Sequence, residues 1–157
     1  MKTIPLTQGH VALVDDEDFE GLSRYNWHAR KDKQTFYAAR GTLRGGVART
    51  IMMHVAISGI KNVDHIDGNG LNNQRSNLRP ASASQQAANR KKSNRNSSKY
   101  KGVSWNKRLK KWMAQIKPPN KKQIYLGLFD NEELAARAYN QAAIEHFGDF
   151  AKLNQGV

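Results

Sequence analysis

The residues best equipped for chemistry lie in Val63-Asp-His-Ile-Asp-Gly-Asn-Gly-Leu-Asn-Asn-Gln-Arg-Ser-Asn-Leu-Arg, followed by Gln85-Gln-Ala-Ala-Asn-Arg. Hydrolysis of a phosphodiester needs a base to activate water and a cation to hold the scissile phosphate and offset charge on the leaving oxygen. Asp64 and His65 are adjacent, so on an extended strand they face opposite sides. One of them could bind a metal while the other reaches the water, provided the strand end is twisted or bulged. Asp67-Gly68-Asn69-Gly70 supplies turn chemistry immediately afterwards. Arg79-Pro80 then leads into a helix expected over about Ser82 to Arg90, which would carry Asn89 back toward Asp64. A helix-loop-helix calcium site is excluded: counted from Asp64 it puts Ile66 at the third position, and counted from Asp67 it puts Leu71 at the fifth. A lone Asp-His pair and an Asn-rich turn are commonplace in structural roles. The joint occurrence of Asp64-His65, Asn72-Asn73, Asn77 and Asn89 favours a nuclease.

Residues 51–90 resemble the HNH endonuclease motif, a ββα-metal unit, in the form found among phage and intron-encoded (homing) enzymes. Asp64-His65, the Asn77-Leu78-Arg79 step and the helical Asn89 carry the likeness. The resemblance implies that His65 is the general base, Asp64 a metal ligand, and Asn89 the second ligand in place of the family's more familiar histidine. It implies that Asn77 braces the loop so that His65 is oriented. Oxygen ligands from an aspartate and an asparagine favour Mg²⁺ or Mn²⁺ over zinc.

The elements around this motif are short. Residues 1–50 read as short strands and turns, with weak alternation over Thr7–Val14 and a second run at Phe36-Tyr-Ala-Ala-Arg before Gly41 and Gly45-Gly46. They resemble the N-terminal segments of phage HNH proteins, which implies no residue-level role. Asp15, Asp16, Glu17 and Asp18 form an acidic run, read as a solvated turn or helix start rather than a metal site. Thr50 to Ile57 reads as a short apolar helix; His54 lies on it, as a packed or phosphate-contacting residue rather than a ligand. His10, His28 and His146 have no partner pattern and receive no role.

Residues 90–97 are basic and devoid of apolar side chains, the composition of an extended linker, and Arg90, Lys91, Lys92 and Arg95 there are expected on DNA. Beyond it, Tyr100–Trp105, Lys111–Ile116 and Gln123–Phe129 are three strand-like runs rich in aromatic and β-branched residues. Asn131-Glu-Glu-Leu opens a helix with an N-cap and an acidic first turn, and Gly148 ends it. The expected unit is a three-stranded antiparallel sheet with one helix on it. Blocks such as Ser98-Lys-Tyr-Lys-Gly-Val-Ser-Trp, Tyr125-Leu-Gly-Leu-Phe and Phe150-Ala-Lys-Leu-Asn resemble the AP2 DNA-binding domain over about 98–154. That resemblance implies a DNA-contacting set of Lys101, Trp105, Lys107, Arg108, Lys111, Trp112 and Gln115. A β-ribbon fits the major groove, where Arg pairs with guanine and Gln with adenine. Lysines stand where plant AP2 domains carry several base-reading arginines, and lysine is the less geometrically selective contact. Only the open face of such a sheet can meet DNA. Trp105 and Trp112 are expected there, with Val103, Ile116, Leu126 and Phe129 under the helix and Tyr139 on either side.

Composition agrees with a polyanionic partner. The formal net charge is +13, of which +3 falls in residues 1–89, +4 in 90–97 and +6 in 98–157. The absence of cysteine removes disulfides and thiolate zinc sites. No apolar run approaches a membrane span and no signal-peptide core opens the chain, so a soluble protein of the cytoplasm is expected, phage- or mobile-element-encoded by the resemblance. The overall expectation is α+β. A β-rich N-terminal segment leads into a nuclease core (1–89, core about 51–90), followed by a linker (90–97) and an AP2-like domain (98–157). The expected activity is metal-dependent nicking of double-stranded DNA by a monomer, with no membrane and no small-molecule cofactor. Against it stands a non-catalytic AP2-type regulator carrying a remnant nuclease scaffold. An RNA-binding protein is a weaker third reading, because the stacking spacing of common RNA modules is missing.

Overall fold

Pairing of short strands organises both halves of the chain, as seen in a computed structural model that describes residues 1–32, 35–90, 97–119 and 121–157. Lys91, Lys92 and Arg95 of the expected linker lie outside the described residues. The chain divides into two compact units, Met1–Ser82 and Ala83–Val157.

In the first unit, β1 (Lys2–Pro5) pairs antiparallel with β2 (Val11–Val14). The acidic run then opens α1 (Asp16–Ser23), with Asp16, Glu17 and Asp18 in its first turn, where carboxylates favour the helix dipole. The run has a second duty. Asp15 Oδ2 accepts from the Arg75 backbone N–H at 2.8 Å, and the Arg75 guanidinium meets Asp18 at 2.7 Å and Glu17 at 2.7 Å. β3 (His28–Lys31), β4 (Phe36–Arg44) and β5 (Val47–Met52) form an antiparallel sheet in that order. α2 (Met53–Ser58) follows without a break. The helix expected over Thr50–Ile57 is therefore displaced. Pairing of Ile51 with Arg40 and Met52 with Ala39 draws that apolar run into the sheet, and only from Met53 does it coil. Trp27, 1% exposed, centres the core with Ile4, Leu6, Val14, Leu22 and Met53, and its indole N–H donates to Leu22 O at 2.8 Å. β6 (Val63–His65) and β7 (Leu78–Pro80) complete the unit as an antiparallel pair.

The second unit begins with α3 (Ala83–Asn89) and continues with β8 (Val103–Asn106), β9 (Lys111–Ile116) and β10 (Ile124–Phe129), a sheet ordered β10-β9-β8. Across it lies α4 (Glu132–Phe147), whose Asn131 cap accepts from Glu133 N–H at 2.6 Å. Alternation along β8 and β9 turns Val103, Ala114 and Ile116 toward Ala135, Ala136, Tyr139, Ala142 and Ala143 of the helix. Tyr139 is thereby a core residue, 3% exposed. Small alanines let helix and sheet approach closely.

Register also corrects the placing of the two tryptophans. Directly opposed residues of an antiparallel pair share a face. Trp105 stands opposite Trp112 and Val103 opposite Ala114, so both indoles lie on the helix-covered face. Trp112 packs against the core there, while Trp105, 37% exposed, meets it edge-on at 5.0 Å at the rim. The open face carries Ser104, Lys111, Met113, Gln115 and Tyr125 instead.

Candidate active site and nucleic-acid interface

The three residues of β6 are all buried, Asp64 at 8% and His65 at 5% exposure. Each polar side chain is held from a different side. Asp64 stands opposite Arg79 in the β6–β7 register, and Arg79 Nε and one Nη donate to the same carboxylate oxygen, Oδ2, at 3.1 and 2.9 Å. His65 Nε2 lies 3.4 Å from Oδ1 of Asn73, which is fully buried. The Asn73 amide nitrogen donates to Leu71 O at 3.2 Å, and this fixes which end of the amide faces the imidazole. A carbonyl oxygen only accepts, so His65 carries its proton on Nε2 and its lone pair on Nδ1.

Asn73 owes its position to the N-terminal strands. Its backbone N–H donates to Leu13 O at 2.8 Å, and Leu13 N–H donates to Leu71 O at 2.9 Å, so β2 grips the segment 71–73. The rest of the loop is tied by its own amides. Asp67 Oδ1 accepts from Asn69 N–H at 2.7 Å and from Asn77 Nδ2 at 3.0 Å, and Oδ2 accepts from Asn72 Nδ2 at 2.9 Å. Asn77 also donates to Asn72 O at 2.8 Å and accepts from Asp67 N–H at 3.0 Å. Asn77 thus ties the turn, while contact with His65 itself falls to Asn73. Burial pushes the Asp67 carboxyl upward, but the donors from Asn69, Asn72 and Asn77 outweigh it and leave it below the ordinary range.

Aromatic rings enclose His65. Tyr37 of β4 is 5.6 Å away and His54 of α2 is 5.1 Å away, edge-on. Gly70 makes this possible: a Cβ there would meet Phe36 O at 2.5 Å and the Tyr37 ring at 2.5 Å. Burial lowers His65 below the usual histidine value, although Asn73 and the charges of Asp67 and Asp64 work against it. Burial, with the neighbouring His65, takes His54 down to about 4. Both imidazoles are neutral near pH 7, the state a general base requires.

Asn89 lies at the end of α3 in the second unit, buried, with Gln85 and Gln86 one turn before it. Among the described residues no group of three or more His, Cys, Asp or Glu could hold a metal ion. Asp64 could therefore offer a cation one carboxylate, with water completing the shell. That donor set fits Mg²⁺ or Mn²⁺, which keep several waters, and does not fit a closed zinc site.

In the second unit, Lys107 and Arg108 are exposed in the turn after β8, where Asn106 Oδ1 accepts from Arg108 N–H at 3.1 Å and Leu109 N–H at 3.0 Å. Lys111 pairs with Asp130 at 3.1 Å, and Gln115 lies on the open face. Arg90 is exposed just after α3. Lys101 is engaged differently: its ammonium donates to the carbonyls of Ala88 at 2.5 Å and Arg90 at 2.8 Å, and burial lowers it to about 8. The sequence groups Asn72-Asn73 and the Asn77-Leu78-Arg79 step with the pair at 64 and 65 but gives Asn73 and Arg79 no contact with it, and it does not mark Tyr37 at all. Only the register of β6 on β7 could have pointed to Arg79.

Residues 98–148 match the AP2 domain family. The same region is similar to an ethylene-responsive transcription factor of Arabidopsis thaliana, 43% identical over 56 residues, covering 35% of this chain and 30% of that protein. The chain thus spans less than a third of the length of that plant relative. A protein of Acanthamoeba polyphaga mimivirus, described as an uncharacterized HNH endonuclease, is 31% identical over 149 residues, covering 94% of this chain and 76% of its own. Protein 3.8 of Escherichia phage T7 is 34% identical over 90 residues, 57% of this chain and 73% of the phage protein. No helix among the described residues is long and apolar enough to cross a membrane.

Proposed function

Because this chain belongs to the HNH endonuclease family, we propose that it is a metal-dependent DNA endonuclease whose AP2 domain supplies much of its affinity for the duplex. The observation that carries this reading is the buried pair on β6: an imidazole held neutral by burial and oriented by Asn73, next to a carboxylate anchored by Arg79. Water presented to His65 loses its proton to Nδ1 as its oxygen attacks the phosphorus. Nε2–H stays on Asn73 and keeps the ring from turning. A divalent cation held by Asp64 would offset charge on the leaving 3′ oxygen. Tyr37 and His54 exclude bulk water from the inner side of the imidazole.

One such site cuts one strand, so a monomer nicks. The test is incubation with supercoiled plasmid, with and without Mg²⁺ or Mn²⁺, beside the His65→Ala variant. Metal-dependent nicked circles from the wild type and none from the variant are expected. Undiminished cleavage by the variant would exclude His65 as the base.

The AP2 match also favours a second reading, a DNA-binding regulator without catalysis, since the matched plant protein is a transcription factor. Both readings give salt-sensitive DNA binding. Only metal-dependent strand scission separates them.

A further inference from the structure

The hairpin of β4 and β5 extends well beyond what the core of its unit uses. Gly45 and Gly46, with φ of 59° and 75°, join the strands in a two-residue turn with the positive φ pair that suits hairpin twist. Leu43 is 77% exposed and Val47 56%, so the tip carries two apolar side chains that stand largely in solvent. Gly41 is more informative. It lies inside β4 with no positive φ, and a Cβ built there would meet nothing within 4 Å. Glycine is disfavoured inside strands, and neither backbone conformation nor crowding within this chain demands it. What remains is close approach of another molecule to the backbone.

Charge identifies that molecule. From residue 33 to residue 63 there is no Asp or Glu, while Lys33, Arg40, Arg44, Arg49 and Lys61 are all cationic. Register places Arg49 opposite Thr42, on the face that also carries Arg40, whose guanidinium stacks on Tyr25 at 3.9 Å. Gly41, opposite Thr50, belongs to the other face. Arg49 is thus a cation this hairpin offers on its outer half. The base of the same hairpin forms the wall of the nuclease site: Tyr37 is on β4 and His54 follows directly on β5. Gly41 lies four residues along β4 from Tyr37, about 13 Å at the rise of an extended strand. A two-stranded ribbon fits a groove of duplex DNA.

We propose that the exposed half of the β4–β5 hairpin lies in a groove of the substrate duplex beside the phosphate presented to His65, with the Gly41 face of the ribbon against the sugar–phosphate chain on one side and Arg49, on the opposite face, reaching phosphate on the other. This rests on the endonuclease reading for its placement. It gives the nuclease unit a DNA grip of its own, separate from that of residues 98–148.

The test is hydroxyl-radical footprinting of the full chain in the non-cleaving His65→Ala background, comparing Gly41→Val and Arg49→Glu on that background, with plasmid nicking measured in the active one. Lys107→Ala/Arg108→Ala identifies the patch protected by the AP2 domain. A second protected patch is expected, lost or weakened by both hairpin substitutions, together with at least a tenfold fall in nicking. The Gly41→Val protein should melt no lower than wild type, because a β-branched residue enters open space in a strand. Unchanged footprint and nicking in both variants would overturn the proposal. So would a change confined to self-association, read by sedimentation, since the hairpin would then serve a second copy of the chain. If the wild type never nicks yet the second patch depends on Gly41 and Arg49, the hairpin proposal stands and the endonuclease reading falls. Normal nicking with an unaltered footprint gives the reverse.

Discussion

Asn73 accepts from His65 through Oδ1 while its own amide nitrogen is held on Leu71 O, so one fully buried side chain fixes both the tautomer and the tilt of the imidazole. Asn73→Ala removes the acceptor and frees the ring to rotate. Nicking at saturating DNA should fall by about 10²-fold, within the span that general-base catalysis contributes. Two buried polar groups lose a partner, so stability should also drop by about 2 kcal/mol. Assay well below the melting temperature separates the effects. A variant that loses stability but keeps its rate would show that Asn73 is structural only.

Asp64 and Arg79 are coupled across β6 and β7, with side-chain exposures of 10% and 16%. Removing the guanidinium takes a charged partner away from a buried carboxylate, at a cost of about 3 kcal/mol. Arg79→Ala should therefore shift the urea midpoint strongly. Asp64→Asn keeps the shape and removes the charge, so its damage should appear in metal response. The expected result is nicking that needs a far higher Mg²⁺ concentration, with DNA affinity little altered. Equal Mg²⁺ dependence in Asp64→Asn and wild type would remove Asp64 from the metal site.

Local signals in the sequence were enough for parts of this architecture. Asn131 and Gly148 bracket α4, and Lys111–Ile116 reads as β9, because caps and alternation are written in neighbouring residues. The run at Thr50–Met52 misleads, since its strand partners lie nine to thirteen residues away on β4. The tryptophans mislead for another reason. An indole suits either a core or a groove, and only the pairing of Val103 with Ala114 decides the face. At the site, residue types announced Asp64 and His65 as a chemical pair. Their contacts are not legible because Asn73 is placed by bonds with Leu13, far back in the chain, and Tyr37 is brought to His65 from β4, two strands before β6 in the chain.

His54 gives the protein an acid-sensitive core. Its value falls from the ordinary 6.5 to about 4 in the folded chain. The neutral imidazole is favoured by folding, so this stability is fully present above about pH 6.5 and is lost progressively as pH falls toward 4. A shift of that size corresponds to about 3 kcal/mol. Urea titrations at pH 7.5 and 5.0 should show a larger loss in wild type than in His54→Leu, which has no charge to bury there. Parallel losses in the two proteins would mean that His54 is hydrated in solution.

Lys107 and Arg108 stand exposed on the turn after β8, where the Asn106 side chain accepts from the backbone N–H groups of Arg108 and Leu109. Contacts of this type to phosphate carry no sequence information but release counterions. Lys107→Ala and Arg108→Ala should each weaken binding to specific and unrelated duplexes alike. Each should also flatten the plot of log K against log salt by about 0.9, and the double variant by about twice that. Fluorescence anisotropy across a salt series with two unrelated duplexes measures both. An Arg108 that reads a base instead would give a different outcome: its loss would fall on one duplex, and the slope on the other would stay as in wild type.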